Sequence, residues 1–414
     1  MTEEIKDRIE SIRKGEVPNG YSEGIAGILP NDWVSKPLSE LSEVISEQAG
    51  DDDYETLSIS AGIGFVNQAQ KFGKELSGKQ YEKYTVLRKG DFAYNKGNSK
   101  RYPQGCTYRL KERDEAAVPN VFECFRISEG CPEYYEQLFI NGFMNQQLTR
   151  KINHGVRDDG LLNLTDEDFY STVLPVPPLA EQQKIAEVLS TCDSMIELKQ
   201  RLLEEKRTKK KWLMQMLLDP DSGMRLSGFD DPWQTGTFSN VCSFINGRAY
   251  KQEELLEKGK YPVLRVGNLF TKSEWYYSDL ELLPQMYIAC GDLIYAWSAS
   301  FGPKIWKGDK VIYHYHIWKV VPSEYMCKEY LYQYFLYDVE LLTKEQQGGI
   351  MSHITKETME KRSCKYPSVL EQKKIAEVLQ SADQEVVLAE KDLEAWQQKK
   401  NALLKLLLTG VVRV

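Results

Sequence analysis

The residues able to do chemistry in this chain are scattered, and most catalytic arrangements fail on spacing. His314 and His316 would place two imidazoles on one face of a strand, but no acidic or cysteine ligand stands close by in sequence, so packed or exposed histidines are favoured over a metal site. The segment Ala61-Gly62-Ile63-Gly64-Phe65 is glycine-rich, yet it has neither a helical pattern behind it nor an acidic residue at the distance a dinucleotide loop requires. The sequence has no Gly-x-x-x-x-Gly-Lys-Ser/Thr loop for a nucleoside triphosphate, no Asn-Pro-Pro-aromatic motif for base methylation, and no paired carboxylates of nuclease type. Eight cysteines, at 106, 124, 131, 192, 242, 290, 327 and 364, include no Cys-x-x-Cys, which argues for reduced, packed thiols.

What remains is binding chemistry. The loop Asn95-Lys96-Gly97-Asn98-Ser99-Lys100-Arg101 mixes small residues with cations, as does Ser298-Ala299-Ser300-Phe301-Gly302-Pro303-Lys304. Short side chains let a backbone approach phosphates or groove edges, where Arg and Lys hold phosphates or read guanine. Asn246-Gly247-Arg248 and Arg265-Val266-Gly267-Asn268 offer similar chemistry. The candidate DNA contacts are therefore Lys71, Lys74, Lys79, Lys96, Asn98, Ser99, Lys100, Arg101, Arg248, Arg265, Asn268, Ser300 and Lys304. A net charge of −8 argues against a nucleic-acid partner, but residues 65–113 carry twelve Lys/Arg against four acids. Such a local excess could neutralise several phosphates. No run is long and apolar enough for a membrane helix, and the charged start, Met1 to Arg13, lacks a signal-peptide core, so the expected location is the cytoplasm with no membrane partner.

The elements that must position these loops come in two copies. Residues 181–189, EQQKIAEVL, and 371–379, EQKKIAEVL, agree at eight of nine positions at an offset of 190. Leu164–Thr165 then matches Ile354–Thr355, Asp32–Trp33 matches Pro232–Trp233, and Lys89-Gly90-Asp91-Phe92-Ala93-Tyr94 matches Cys290-Gly291-Asp292-Leu293-Ile294-Tyr295. The chain reads as one unit written twice. Segments 30–176 and 228–366 are strand-rich, with runs such as Tyr54–Ser60, Tyr81–Leu87, Tyr261–Val266, Leu293–Trp297 and Val311–Val321, and helical stretches at Cys131–Lys151 and Ser323–Gln346.

Behind each strand-rich half stands a long helix with a 3.5-residue apolar repeat. The expected seam is Ile185, Leu189, Ile196, Leu203, Leu213 and Leu217 in the first copy. In the second it is Ile375, Leu379, Val386, Leu393, Trp396, Leu403 and Leu407. Lys199, Lys206 and Lys210 interrupt the first register, and Lys400 the second. Pro177–Pro178 and Pro367 block backward extension, and Asp219–Pro220 and Thr409–Gly410 are stop signals. The run Lys206-Arg207-Thr208-Lys209-Lys210-Lys211 reads as a solvated helix face rather than a DNA clamp.

Pro177-Pro178-Leu179-Ala180-Glu181-Gln182-Gln183-Lys184-Ile185 opening a long helix, repeated after a second variable half, resembles the specificity subunit of type I restriction–modification systems. Val17-Pro18-Asn19-Gly20-Tyr21, Leu29-Pro30-Asn31-Asp32-Trp33 and Leu226-Ser227-Gly228-Phe229-Asp230 are similar to that family too. The second copy departs from it with a single proline, in Pro367-Ser368-Val369-Leu370-Glu371-Gln372. The resemblance implies an α+β fold: two strand-rich target recognition domains separated by two long antiparallel helices that form a coiled coil, as a pseudo-twofold internal repeat. The expected layout is an N-terminal helical extension at 1–29, recognition domains at 30–176 and 228–366, spacer helices at 177–218 and 367–410, and a linker at 219–227.

By the same resemblance the chain is non-catalytic and binds no cofactor. S-adenosylmethionine, ATP and Mg are expected on partner subunits. The implied partners are double-stranded DNA, two methyltransferase subunits docked on the helices, and restriction or translocase subunits. Reading a bipartite DNA target is thus the expected function, and a coiled-coil adaptor whose globular halves bind proteins is the alternative.

Overall fold

Phe92-Ala93-Tyr94 and Leu293-Ile294-Tyr295-Ala296 are apolar at every position, the pattern of strands covered on both faces. In the computed structural model all seven side chains are buried, at 0–1% exposure. The described residues are 3–73, 78–97, 101–152, 161–271, 273–298, 302–345 and 354–414, and the side chains of residues 72, 79, 344 and 345 lie outside that set. The chain divides into two units, the first made of Met1–Leu198 with Leu393–Val414 and the second of Lys199–Asp392. This differs from a linear series of domains, because each unit takes part of both long helices.

The first unit is built on strands β1 (Ser42–Val44), β2 (Phe92–Asn95), β3 (Cys106–Arg109) and β4 (Phe122–Ile127), in the order β1-β4-β2-β3. The second repeats it with β5 (Cys242–Asn246), β6 (Leu293–Ala296), β7 (Gly302–Ile305) and β8 (Ile317–Pro322), in the order β5-β8-β6-β7. A Gly-Asp turn leads into each central strand. Gly90 and Gly291 take φ of +100° and +89°, which favours glycine. Asp91 Oδ2 then accepts the Arg88 N–H at 2.7 Å, and Asp292 Oδ2 accepts the Ala289 N–H at 2.7 Å. A two-stranded clasp closes each half: Val34–Pro37 pairs with Val173–Val176, and Gln234–Thr237 pairs with Ser363–Tyr366.

Helix α1 (Pro132–Ile140) packs behind the first sheet and α3 (Lys328–Glu345) behind the second. The expected helix over Cys131–Lys151 is broken, because Asn141–Gly142 separates α1 from a shorter helix at Asn145–Lys151. Among the described residues of the first 29, only Glu3–Arg13 is helical; Tyr21–Gly24 and Gly27–Pro30 form a hairpin. Tyr81–Leu87 begins as the end of a 3-10 turn (Gly78–Lys83), and its strand covers Thr85–Arg88. Val311–Val321 is also split. Val311–Tyr313 pairs with Tyr261–Leu264 and Tyr287–Ile288, whereas β8 joins the other sheet, so His314–His316 form the crossover between two sheets.

The long helix α2 (Leu179–Leu218) begins directly after Pro178, and α4 (Val369–Leu407) begins two residues after Pro367. The same side chain secures both starts. Gln182 donates to the Pro177 carbonyl at 2.8 Å and accepts the Cys131 N–H at 2.8 Å. Gln372 donates to Pro367 O at 2.9 Å and accepts the Cys327 N–H at 2.7 Å. Loss of the second proline therefore leaves the local geometry of the helix start unchanged.

Within each unit the beginning of one helix packs against the end of the other. Ile185 and Leu189 share a core with Leu404, Leu407 and Leu408 in the first unit. Ile375 and Leu379 share one with Met214, Leu217 and Leu218 in the second. Leu213 and Leu403 lie beside these cores partly buried, and their neighbours Met214 and Leu404 are the more deeply inserted. Leu203 is buried, while Ile196, Val386, Leu393 and Trp396 are intermediate.

The lysines that interrupt the seam are paired across it. In the second unit Lys199 meets Asp392 at 2.7 Å, Lys206 meets Glu385 at 2.8 Å, and Lys210 pairs with Asp383. In the first unit Lys400 meets Asp193 at 2.5 Å. Residue numbers rise on one helix as they fall on the other, the antiparallel order. Gln137 and Gln333 reach these ion pairs from the globular halves, donating to Asp193 at 3.3 Å and Asp383 at 2.6 Å.

Candidate nucleic-acid interface

In the second unit, loops far apart in sequence are gathered by main-chain hydrogen bonds around the 314–316 crossover. His314 N–H donates to Leu264 O at 2.9 Å, Tyr315 N–H to Arg248 O at 3.0 Å, and Trp297 N–H to His316 O at 3.1 Å. Gly247 lies so close beneath this crossover that a Cβ there would fall 2.5 Å from the His314 carbonyl oxygen. A side chain would force the loops apart. The Asn246-Gly247-Arg248 loop, the Arg265 loop and the end of β6 thus become one surface, although they were recognisable only as separate segments.

The side chains on this surface are half-exposed and largely aromatic. Trp297 Nε1 donates to the Tyr315 carbonyl at 2.7 Å, and its ring meets His316 edge-on at 5.0 Å. His314 and His316 lie 4.9 Å apart between ring centroids. Burial pushes the His314 imidazole down to about 4, helped by the nearby His316 and Arg265. Burial and Arg265 also lower His316. These rings are therefore expected to stay neutral near pH 7, each with one donor and one acceptor nitrogen.

Charge on this surface comes from Arg265. Its guanidinium lies 5.2 Å from the Tyr276 ring centroid and, among the described residues, has no carboxylate partner. Arg248, by contrast, forms a forked pair with Glu254 at 2.8 and 2.9 Å. Asn268 caps its own turn, accepting the Arg265 N–H at 3.1 Å and donating to Glu274 O at 2.7 Å. Lys304 Nζ donates to Leu269 O at 2.6 Å. Ser300 lies outside the described residues.

The corresponding place in the first unit is ionic. Lys96, which occupies the position of Trp297 in the repeat, bridges Glu123 and Asp166 at 2.7 Å each and is 12% exposed. Pro119-Asn120-Val121 stand where His314-Tyr315-His316 stand in the other copy. Lys71 Nζ donates to Ile59 O at 2.8 Å. Arg101 lies 5.7 Å from the Tyr102 ring centroid. Lys74, Asn98, Ser99, Lys100 and the side chain of Lys79 lie outside the described residues.

The basic stretch 65–113 is much less bare than its composition suggests. Arg88 pairs with Glu47, Arg109 with Glu133 and Glu136, Lys111 with Glu136, and Arg113 with Glu55, all acids from outside the stretch. The run at 206–211 likewise faces acids of α4, with Arg207–Glu390 at 2.8 Å and Lys209–Glu385 at 3.3 Å. The candidate contacts read from the sequence do not include Trp297, Tyr315 or His316, which the structure brings to this surface. The sequence signal is limited to His314-x-His316, whose spacing raises only a disfavoured metal site. Among the described residues no group of three His, Cys, Asp or Glu side chains could hold a metal ion.

Five of the eight free cysteines are buried and Cys290 is exposed. No helix among the described residues is long and apolar enough to cross a membrane.

Comparison with known proteins gives one consistent answer. The type I restriction modification DNA specificity domain matches twice, over residues 30–205 and 230–395. The type I restriction enzyme MjaVIII specificity subunit of Methanocaldococcus jannaschii is 24% identical over 278 residues, 62% of this chain and 65% of that one. The chain thus spans slightly less than two thirds of that relative. A putative type I restriction enzyme MjaX specificity subunit of the same organism is 22% identical over 419 aligned positions, 94% of this chain and 95% of that one.

Two solved structures share the fold. The type I restriction–modification S subunit from M. genitalium has a TM-score of 0.54 at 15% identity, covering 95% of this chain and 97% of its own. A chain from a structure on complex assembly and conformational transition of the type I R-M system has a TM-score of 0.58 at 16% identity, covering 93% and 99%. With two matched domains, a duplicated sheet and helices that pair in antiparallel order within each unit, the chain belongs to the type I restriction modification DNA specificity domain family.

Proposed function

We propose that this chain is the DNA-reading subunit of a type I restriction–modification complex and that it selects a target in two parts, one for each unit. The observation that carries this reading is a contrast inside a duplication. The two units share one sheet order and one helix start, yet their loop tips differ in chemistry, Lys96 with Glu123 and Asp166 against Trp297 with Tyr315 and His316. A repeated scaffold with unlike tips suits two unlike half-sites on one duplex.

In this reading the long helices form the spacer on which two methyltransferase subunits dock, with restriction or translocase subunits joining the assembly. Methyl transfer from S-adenosylmethionine and ATP-driven, Mg-dependent work belong to those partners, and this chain contributes address rather than catalysis. Acting on genomic or incoming DNA, it would work in the cytoplasm. Of the candidate contacts, Arg101 and Arg265 lie against aromatic rings and are the best placed to meet DNA. Lys71, Lys96, Arg248, Asn268 and Lys304 would first have to leave internal partners.

The test is methylation-sensitive sequencing of cells that carry or lack the chain together with its partner genes. A split motif that appears only with the chain is the expected result. An unchanged methylation pattern, with the chain co-purifying only with proteins unrelated to DNA modification, would instead favour an adaptor.

A further inference from the structure

The second unit carries a built surface that nothing in its family membership assigns to particular residues. We propose that Arg265, Tyr315 and His316, braced by Trp297, form the surface through which the second unit reads base edges, with a guanine beneath Arg265. The inference rests on the DNA-reading function above and specifies which residues discriminate and which base one of them demands.

Three observations point the same way. First, the frame of the surface is tied by its own hydrogen bonds. Trp297 is fixed at both ends of its residue, the indole N–H on Tyr315 O at 2.7 Å and the main-chain N–H on His316 O at 3.1 Å. The indole N–H is thereby already used, so Trp297 is a positioning residue and not a reader. A preorganised surface gives discrimination because little order remains to be imposed on binding.

Second, the surface presents directional hydrogen-bonding groups rather than a cloud of positive charge. Tyr315 is 39% exposed and His316 half-exposed. An imidazole held neutral offers one donor and one acceptor in fixed directions, which suits a base edge better than a phosphate. The lowered basicity of both histidines, set by burial and by Arg265, keeps them in that form.

Third, one cation stands ready. Arg265 is exposed, lacks a carboxylate partner among the described residues, and is flanked by the Tyr276 ring at 5.2 Å. Arg248, in the adjacent loop, is neutralised by Glu254. A lone guanidinium beside neutral acceptors and donors is suited to the forked contact with guanine O6 and N7. A phosphate-gripping surface would be expected to cluster several unpaired cations instead.

The experiment uses the full chain in complex with its modification partner. A randomised duplex library is selected for binding, the retained pool is sequenced, and affinity is then measured for the target and each single-base variant. Wild-type complex that selects no motif would sink the DNA-reading function itself. Given a wild-type motif, Arg265→Ala and Arg265→Lys should both lose about 10- to 100-fold discrimination at one guanine of one half-site, since lysine keeps the charge but lacks the fork. Reading of the other half-site should persist and serves as the check on folding. His316→Ala should relax an adjacent position.

Full discrimination in Arg265→Ala overturns the proposal. So does restoration of discrimination by Arg265→Lys, or a uniform loss across both half-sites with a shallower salt dependence, either of which would make Arg265 a phosphate contact. Where Arg265→Ala disrupts folding, Arg265→Lys alone decides by the same criterion.

Discussion

Lys96 and Trp297 sit at the same place in the repeat, just past a central strand led in by a Gly-Asp turn, and they are stabilised in opposite ways. Lys96 is tied by two carboxylates and is 12% exposed. Trp297 is tied by main-chain carbonyl and N–H groups and stacks among aromatic rings, with Trp318 5.9 Å away. One sheet order therefore tolerates an ionic tip and an aromatic one. The scaffold fixes where a tip stands, and its side chains are left to decide what it says.

If that comparison is right, changes to the scaffold should act alike in both units and changes to the tips should not. The largest effect belongs to the seam. Leu189 and Leu379 are both 0% exposed, so Leu189→Ala and Leu379→Ala should each destabilise their own unit by about 2–5 kcal/mol. Denaturant unfolding followed by unit-resolved hydrogen exchange measures this, and a several-fold inequality between the two would break the equivalence. Next come Gln182→Ala and Gln372→Ala. Gln182→Ala leaves the buried Cys131 N–H and Pro177 carbonyl without this partner. Gln372→Ala leaves the part-buried Cys327 N–H and the Pro367 and Tyr325 carbonyls without it, and the cost is about 1–3 kcal/mol per buried group. Matching losses of protection at the two helix starts are expected.

A smaller effect separates the tips. His314 binds its proton near 6.5 when unfolded and near 4 when folded, so between those values acid draws the second unit toward the unfolded state. Its contribution is fully present above about pH 6.5 and declines as pH falls toward 4. Melting of the wild-type chain should therefore drop between pH 6.5 and 5, and His314→Gln should flatten that drop. The first unit has Pro119 at this position and should show no such limb. The smallest effect is at the half-exposed Lys206–Glu385 pair. A double-mutant cycle there should return about 0.2–1 kcal/mol, shrinking as salt is added.

The duplication, the helix limits and the Gly-Asp strands were legible because they rest on local rules: apolar period, proline stops, and residue identity at a fixed offset. The charged seam was legible only as an irregularity. Lys199, Lys206 and Lys210 acquire meaning from Asp392, Glu385 and Asp383, which lie about 170–190 residues away in sequence and adjoin them only after the helices pair. The basic stretch misled for the same reason. Glu47, Glu55, Glu133 and Glu136 neutralise much of it from other elements, and a window of sequence does not see them. The 314–316 crossover was hidden because Val311–Val321 reads as one strand, and only the change of sheet reveals a break.

Among the described residues, the side-chain hydrogen bonds of the glutamine at each helix start all go to main-chain atoms. Gln182 bonds Pro177 O and Cys131 N, while Gln372 bonds Pro367 O, Tyr325 O and Cys327 N, every one a main-chain atom. A joint made this way is blind to the identity of what it holds. Any strand-rich half that presents the same backbone path could be grafted onto the rod, so new addresses can arise by exchange without redesigning the hinge that carries them.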